Sequence, residues 1–205
     1  MRKDALSCAG QQAVSNPARS KDAIPLSTRP VSYKKKVLVG GGYKGKGSTS
    51  GVLSDASSAR GVDLTGSNLE NYAKLLNVSV KDLNNRYLYG FINDWMGSPH
   101  RLGGQTKSGI DCSGFVGILY KDVYGKIIPR TSRDMGALVN SKRESQLKEG
   151  DLVFFSFGGG AIRSVGVYLH HNNLSTYLPE KGVIISDLTD SWYAKYFTGA
   201  GTIKL

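Results

Sequence analysis

The sequence predicts an α+β domain that follows a basic N-terminal tail. Apolar residues at helical spacing occupy the chain from about residue 67 to residue 139, and segments of strand length follow from residue 151 onward. Helices followed by antiparallel strands are typical of an α+β domain, here with a helix packed on a sheet. The first 60 residues hold 11 Lys and Arg against three Asp and Glu, so they carry +8 of the net charge of +11. We therefore divide the chain into a tail, residues 1–60, and a domain, residues 61–205.

The tail is rich in Ser, Gly and Lys and has few apolar runs. Such a composition buries too little apolar surface to offset the entropy of ordering the chain, so the tail is predicted to be a flexible tether. Limited proteolysis is expected to leave a stable core that begins between about residues 45 and 65. An anionic envelope surface would attract the tail. Nucleic acid is not expected as a partner, because only Tyr33 and Tyr43 are interleaved with the basic residues.

Two short patterns in the tail resemble functional sequences. Residues 40–46 have the spacing of a phosphate-binding loop, but Gly47 stands where a hydroxyl is needed and no apolar helix follows, so nucleotide binding is not expected. Residues 6–10, around Cys8, resemble the end of a bacterial lipoprotein signal. The residues before them are too few for an apolar export segment, which leaves a truncated leader and a chance resemblance as explanations. No run of 18 apolar residues occurs, so no membrane span is predicted.

Helix signals open the predicted domain. Residues 67–70 and 79–82 both have the spacing of a capping box, which predicts a short helix to about Leu76 and a second helix from Val80 to about Trp95. A third helix is predicted to begin after Asp111, and a fourth to cover residues 131–139. The predicted strands cover residues 151–157, 164–170, 174–178, 182–188 and 199–204.

The third helix carries Cys112 on its first turn. Asp111 supplies the short oxygen side chain of an N-cap, and Phe115 and Val116 continue an apolar face until Gly125 ends the helix. The unpaired N–H groups and the dipole at a helix N-terminus favour the thiolate, which is the form of cysteine that attacks a carbonyl carbon. Cys112 is therefore a candidate nucleophile, and the alternative is a small apolar core residue. A disulfide with Cys8 is not expected, because that residue lies in the tail.

Five segments of the domain resemble, in the same order, the NlpC family of papain-like cysteine peptidases. They are residues 95–104, 109–116, 129–132, 149–155 and 165–169, which read WMGSPHRLGG, GIDCSGFV, PRTS, EGDLVFF and VGVYL. The match extends from about residue 85 to the C-terminus. The resemblance implies a papain-like fold and a bacterial cell-wall enzyme that cuts peptidoglycan peptide stems, typically after D-glutamate. It also implies a helix-borne Cys, a His on the following sheet and a third polar residue.

Three positions depart from this family pattern, although Cys112 is retained. Ser164 stands where the resemblance implies the general base His, and Thr176 stands near the place of the third polar residue. His100 occupies the place of an active-site tyrosine. The resemblance also implies substrate-binding roles for the residues Asp111, Ser113 and Arg130.

The proton acceptor for the thiol must therefore be sought elsewhere. Ser164 cannot accept a proton near neutral pH. His170 lies six residues further along the predicted strand, a distance of about 20 Å, and both it and His171 are expected to face solvent. His100 would border Cys112 if the family architecture holds, and the alternative is a surface or groove histidine.

Two functions agree with these residues. The favoured one is a degenerate cell-wall protein that keeps a groove for peptidoglycan peptides, or for a protein partner, with little or no hydrolysis. The alternative is an active peptidoglycan endopeptidase that pairs Cys112 with a relocated base such as His100. A third interpretation, an inactivating change introduced at Ser164, is weakened by the further change at Thr176. No metal or cofactor is expected, and the expected location is the bacterial cell envelope, either the periplasm or a lipid anchor at Cys8.

Overall fold

The computed structural model describes residues 66–157, 160–178 and 181–204. The tail, the phosphate-loop spacing and Cys8 lie outside these ranges. The helices are α1 (Ser67–Leu76), α2 (Arg86–Trp95), α3 (Cys112–Tyr124), α4 (Ser132–Ala137) and α5 (Ser191–Tyr196). The strands are β1 (Gln105–Thr106), β2 (Gly109–Ile110), β3 (Val139–Ser141), β4 (Leu152–Phe155), β5 (Ser164–Tyr168), β6 (Asn173–Leu178), β7 (Gly182–Asp187) and β8 (Phe197–Ile203).

The main sheet has six antiparallel strands in the order β3-β8-β4-β5-β6-β7, and β1 and β2 form a separate short pair. Alternate residues of β4 face opposite sides of this sheet. Leu152 and Phe154 pack with α1, α2 and α3, whereas Val153 and Phe155 pack with α5. The predicted α+β class, with the cysteine-bearing helix packed on an antiparallel sheet, is confirmed.

The first two helices differ from their predictions. α1 has Gly66 at its N-cap and Ser67 inside its first turn, so the capping box predicted for residues 67–70 is wrong. The capping box at Ser79 is present, but it opens only a three-residue 3₁₀ turn, Val80–Asp82. The single helix predicted from Val80 to Trp95 is therefore broken, and α2 begins at Arg86.

This break has a long-range cause. The carboxylate of Glu149 accepts hydrogen bonds from the backbone N–H groups of Asn84, at 3.3 Å, and Asn85, at 2.8 Å. The Asn85 side chain then caps α2 by accepting from the N–H of Leu88, at 3.1 Å. Because Glu149 is 64 residues from Asn85 along the chain, no local pattern predicts the break.

The five predicted strands are present as β4 to β8, with different ends. β5 ends at Tyr168 rather than at His170, because the chain turns at His171 and Asn172, which both have positive φ. β8 begins at Phe197, two residues before its predicted start. The sequence prediction lacks β1, β2, β3 and α5. Within the described ranges, no helix has both the length and the apolar character needed to cross a bilayer.

Candidate active site

Cys112 is the first residue of α3, which packs against β5. The Ser164 hydroxyl, at the start of β5, hydrogen-bonds to the Cys112 sulfur. The backbone N–H groups of Val165 and Ser113 donate to the same atom. The structure thus brings together the two residues that the sequence places at the centre of the site, with Cys112 facing Ser164.

The start of α3 is fixed by its N-cap. The Asp111 side chain accepts a hydrogen bond from the N–H of Gly114, at 2.6 Å. Gly114 also lies against the carbonyl of Gly104, so closely that an added Cβ would be 2.5 Å from that oxygen. A residue without a Cβ is therefore required at this position for the loop at Gly104 to close over the first turn of α3.

Arg130 locks this N-cap in place. Its guanidinium forms a bidentate pair with Asp111, with N–O distances of 3.0 and 2.8 Å, and also donates to the Ser113 hydroxyl at 2.8 Å. The second Asp111 oxygen accepts from the N–H of Gly103 at 2.7 Å. The polar atoms of Asp111, Ser113 and Arg130 thus join three segments of the chain. The substrate-binding role that the resemblance implies for these residues stays a prediction.

The Asp111 carboxyl is ionised in this setting. Burial acts to raise its pKa, but the Arg130 guanidinium and the N–H groups of Gly114 and Gly103 outweigh burial and hold the pKa below its ordinary value. The N-cap is therefore an anion that is neutralised by an adjacent cation.

The Cys112 thiol has the opposite balance. Burial raises its pKa above the ordinary thiol value, and the negative charge of Asp111 adds to the increase. The hydrogen bonds from Ser164, Val165 and Ser113 act to lower the pKa but do not offset burial. The prediction that the helix N-terminus favours a thiolate is therefore wrong, because desolvation exceeds the effect of the helix end. The neutral thiol predominates near neutral pH.

A groove of about 270 Å³ opens over Cys112. Ser164, Thr176 and His100 line it, so the structure gathers all four candidate catalytic residues around one space. Thr176 is buried on β6 next to Gly166, where an added Cβ would lie 3.3 Å from the Thr176 Cβ. An aromatic wall, made of Phe155, Phe157, Trp192 and Tyr193, borders the same groove.

The aromatic wall was missed by sequence reasoning. Trp192 and Tyr193 belong to α5, a segment without a predicted element. A local signal was present, because the Asp190 side chain caps α5 by accepting from the N–H of Trp192 at 3.0 Å. That such a short helix lies beside Cys112 depends on the order of the strands and is not visible locally.

His100 is exposed at the groove, and its ring is held by two contacts. It stacks on Tyr177, with ring centroids 4.6 Å apart, and its Nδ1 lies 3.3 Å from the carbonyl oxygen of Ile110. The hydrogen bonds to the Cys112 sulfur come instead from Ser164, Val165 and Ser113.

The other two histidines lie away from the groove. His170 is half-buried, with Nε2 2.9 Å from the Glu149 carboxylate, so the prediction that it faces solvent is wrong. His171 is exposed, as predicted, with Nδ1 3.2 Å from the carbonyl oxygen of Leu76. In the part of the chain that the structure describes, no three His, Cys, Asp or Glu side chains are grouped to hold a metal ion.

The structure thus places a cysteine at the start of a helix that packs on an antiparallel sheet, beside a groove. The sequence profile of the NlpC/P60 family matches residues 97–202, just over half of the chain. The protein belongs to the NlpC/P60 family.

Individual relatives agree with this assignment. The chain is 35% identical over 116 residues to a probable endopeptidase NlpC homolog of Haemophilus influenzae, covering 57% of this chain and 61% of that protein. It is 38% identical over 107 residues to the murein DD-endopeptidase MepS/murein LD-carboxypeptidase of Escherichia coli K12, covering 52% of this chain and 56% of that protein. The chain thus spans less than two thirds of either relative.

The fold is also similar to that of solved structures. An NlpC/P60 family protein from Bacillus cereus superposes with a TM-score of 0.50 and 27% identity, over 66% of this chain and 39% of that one. The family of this protein therefore includes endopeptidases of peptidoglycan (murein), and their domain fold is shared here.

Proposed function

We propose that this protein binds the peptide stems of peptidoglycan in the groove over Cys112 and hydrolyses them slowly or not at all. The proposal rests on one observation: the side chain that hydrogen-bonds to the Cys112 sulfur is the hydroxyl of Ser164. The resemblance implies an imidazole at this place. In this interpretation the family groove is kept for binding while its proton acceptor is lost.

Hydrolysis by a thiol needs a group that takes the thiol proton and returns one to the leaving amine. A hydroxyl remains protonated near neutral pH and cannot accept that proton. The Cys112 thiol is also held neutral by burial, with a pKa above its ordinary value, so the attacking thiolate is scarce. Since a positioned general base contributes about 10²–10⁴-fold, we expect its loss to lower the rate by about that factor.

Thr176 strengthens this interpretation. The resemblance implies a third polar residue that orients the imidazole, and Thr176 is buried at the groove beside the strand that carries Ser164. A hydroxyl at each of two neighbouring positions offers hydrogen bonds to a peptide ligand without proton transfer.

The alternative is an endopeptidase that uses His100 as its base. One observation favours it, since His100 lines the same groove as Cys112. Its Nδ1 faces the Ile110 carbonyl, so catalysis would require the ring to leave this contact and its stack on Tyr177, or to act through Nε2.

Incubation of the purified protein, residues 1–205, with muropeptides separates the two functions. We expect no release of cleaved stems by the unchanged protein above that of Cys112→Ala, while binding of the peptides is retained. Ser164→His should raise the rate by restoring a proton acceptor, and Ser164→His with Thr176→His should raise it further by orienting the imidazole. Cleavage by the unchanged protein at an ordinary enzymatic rate, abolished by His100→Ala, would establish the alternative instead.

The proposed location follows from the proposed ligand. Because peptidoglycan lies in the bacterial cell envelope, we propose that the protein acts there, either in the periplasm or on a lipid anchor at Cys8. Metabolic labelling with a fatty acid, compared between the unchanged protein and Cys8→Ala, tests the anchor.

A further inference from the structure

We infer that Leu102 is a ligand-binding residue whose side chain covers the aliphatic part of a peptide bound in the groove over Cys112. This rests on the proposed function, because it concerns the same groove and the same ligand. Leu102 would determine how tightly a peptide binds and would take no part in a reaction.

The fold leaves the Leu102 side chain uncovered at the groove. Its relative exposure is 87%, although it is as apolar as the residues of the core. A single exposed apolar residue on an otherwise polar surface is ordinary. Leu102 differs from that case because it lines the same groove as the aromatic wall, whose members Phe155, Trp192 and Tyr193 are buried. The Leu102 side chain therefore extends the apolar lining of the groove to the outer surface of the protein.

The backbone holds Leu102 in place. The Gly104 N–H donates to the Arg101 carbonyl at 2.8 Å, which closes a tight turn with Leu102 and Gly103 at its centre. Gly103 has a φ of 74°, which glycine adopts without strain. Its N–H donates to the Asp111 carboxylate at 2.7 Å, and because Asp111 also caps α3, the turn is fixed relative to the helix that begins at Cys112. Little backbone entropy is then lost at Leu102 when a ligand binds.

The chemistry of a leucine side chain limits what it can recognise. It has no hydrogen-bonding atom, so it contributes to binding through the removal of apolar surface from water and through dispersion contacts. An amide or charged group of a peptide would lose hydration against it and gain no hydrogen bond. The matching part of the ligand is thus an aliphatic side chain that contacts both Leu102 and the aromatic wall.

Isothermal titration of residues 1–205 with a purified disaccharide tetrapeptide muropeptide tests this role. Leu102→Ala should bind about 10-fold more weakly, because covering an exposed leucine side chain is favourable by an amount of that order. The heat-capacity change of binding should also become less negative, since less apolar surface is buried. Leu102→Met keeps an apolar side chain of similar volume and should bind as the unchanged protein does. Leu102→Asn places a polar amide there and should bind as weakly as Leu102→Ala.

Ile127→Ala is the matched control. Ile127 is also 87% exposed, but it lines a separate depression beside Ile118 and Pro129. Its truncation removes aliphatic surface from an equally exposed position and should change neither the affinity nor the heat-capacity change. Because both side chains are exposed, neither truncation should shift the midpoint of urea unfolding, which separates a loss of binding from a loss of folding.

Two results would overturn the role of Leu102 and leave peptide binding standing. One is an unchanged affinity in Leu102→Ala, and the other is an equal loss of affinity in Ile127→Ala. If the unchanged protein binds no muropeptide, the proposed function itself falls, and the role of Leu102 falls with it.

Discussion

The Cys112 sulfur shows how a tertiary effect overrides a local one. Its position on the first turn of α3, with N–H groups of Ser113 and Val165 directed at the sulfur, favours the charged form. Burial favours the neutral form and is the larger influence. A full positive charge beside the sulfur would act against burial, whereas the Ser164 hydroxyl supplies only a dipole.

The first prediction concerns the reactivity of this thiol. Because burial raises the pKa of Cys112, iodoacetamide should alkylate this thiol slowly at neutral pH. Its alkylation rate should continue to rise with pH in the range where the rate for a free thiol is already constant. Ser164→Ala should shift the curve further to high pH, because it removes a hydrogen bond that stabilises the thiolate. Ser164→His should shift it to lower pH by pairing the thiolate with an imidazolium.

These rates can be measured by mass spectrometry of the alkylated protein, with Cys112→Ala as the control for labelling of Cys8. A rate for the unchanged protein that is already maximal at neutral pH would mean that the thiolate predominates, contrary to the structure.

At the scale of single elements, α3 contains two glycines in different surroundings. An added Cβ at Gly114 would lie 2.5 Å from the Gly104 carbonyl oxygen, whereas one at Gly117 would meet, apart from the adjacent residues and backbone of its own helix, no atom within 4 Å. Gly114→Ala should therefore destabilise the protein by roughly 2 kcal/mol or more through backbone displacement. Gly117→Ala should stabilise it by about 0.5–1 kcal/mol, because alanine favours a helix interior.

Urea unfolding of the two variants makes this comparison within one helix. Equal effects of the two substitutions would show that the close approach of Gly104 to α3 does not exist in solution. The rate of Cys112 alkylation should change in Gly114→Ala and not in Gly117→Ala, because the clash of residue 114 with the Gly104 carbonyl lies on the helical turn that carries Cys112.

The N-cap of α3 predicts a dependence on pH. Arg130→Gln removes the partner of Asp111 and should lower the free energy of unfolding at pH 7. The Arg130 side chain is 38% exposed, so solvent screening limits the loss to about 1 kcal/mol. Because the folded pKa of Asp111 is lowered, this stabilisation is present above the ordinary Asp value of about 3.9 and is lost as pH falls below it.

Urea titrations at pH 7, 5 and 3 test this dependence. The difference between the unchanged protein and Arg130→Gln should be constant from pH 7 to 5 and smaller at pH 3. A difference that stays constant down to pH 3 would exclude Asp111 as the responsible partner. Arg133→Gln, at an exposed position of α4, serves as the control.

The elements that local sequence predicts well are those with local causes. α3 begins at an Asp111 cap and ends at Gly125 with φ of 66°, and both signals lie within the segment itself. The break before α2 depends on the distant carboxylate of Glu149, and the pairing of β3 depends on β8, so neither has a local signal. The juxtaposition of Cys112 and Ser164 came from family resemblance, whereas the state of the thiol depends on burial and could not be predicted.

At the scale of the whole molecule, one sheet separates two apolar clusters. The larger cluster contains Leu88 and Trp95 of α2, and the smaller one contains Trp192 of α5. β4 contributes alternate side chains to both, so neither cluster can lose its packing without disturbing the strand that supports the other.

The helical layer is also tied to the sheet by polar contacts. The Glu149 carboxylate, just before β4, accepts from the Tyr89 hydroxyl of α2 at 2.8 Å and lies 2.9 Å from His170 Nε2, in the turn after β5. Apolar and polar contacts thus join the helices and the sheet into one unit, which should unfold in a single transition.

The two tryptophans of the chain lie one in each cluster, so they report on the two faces of the sheet separately. Leu88 is fully buried, and Leu88→Ala should lower the free energy of unfolding by about 2–5 kcal/mol. Leu88→Ala can be combined with Trp95→Phe, which leaves Trp192 as the reporter, and with Trp192→Phe, which leaves Trp95. In both combinations it should shift the midpoint of urea unfolding, measured by tryptophan fluorescence, by the same amount. Ile127→Ala, at a side chain that is 87% exposed, should shift neither. A midpoint that moves for Trp95 while that for Trp192 stays in place would show that the sheet does not couple its two faces. The groove wall formed by α5 would then be stabilised independently of the helical layer, which includes α3 and its Cys112.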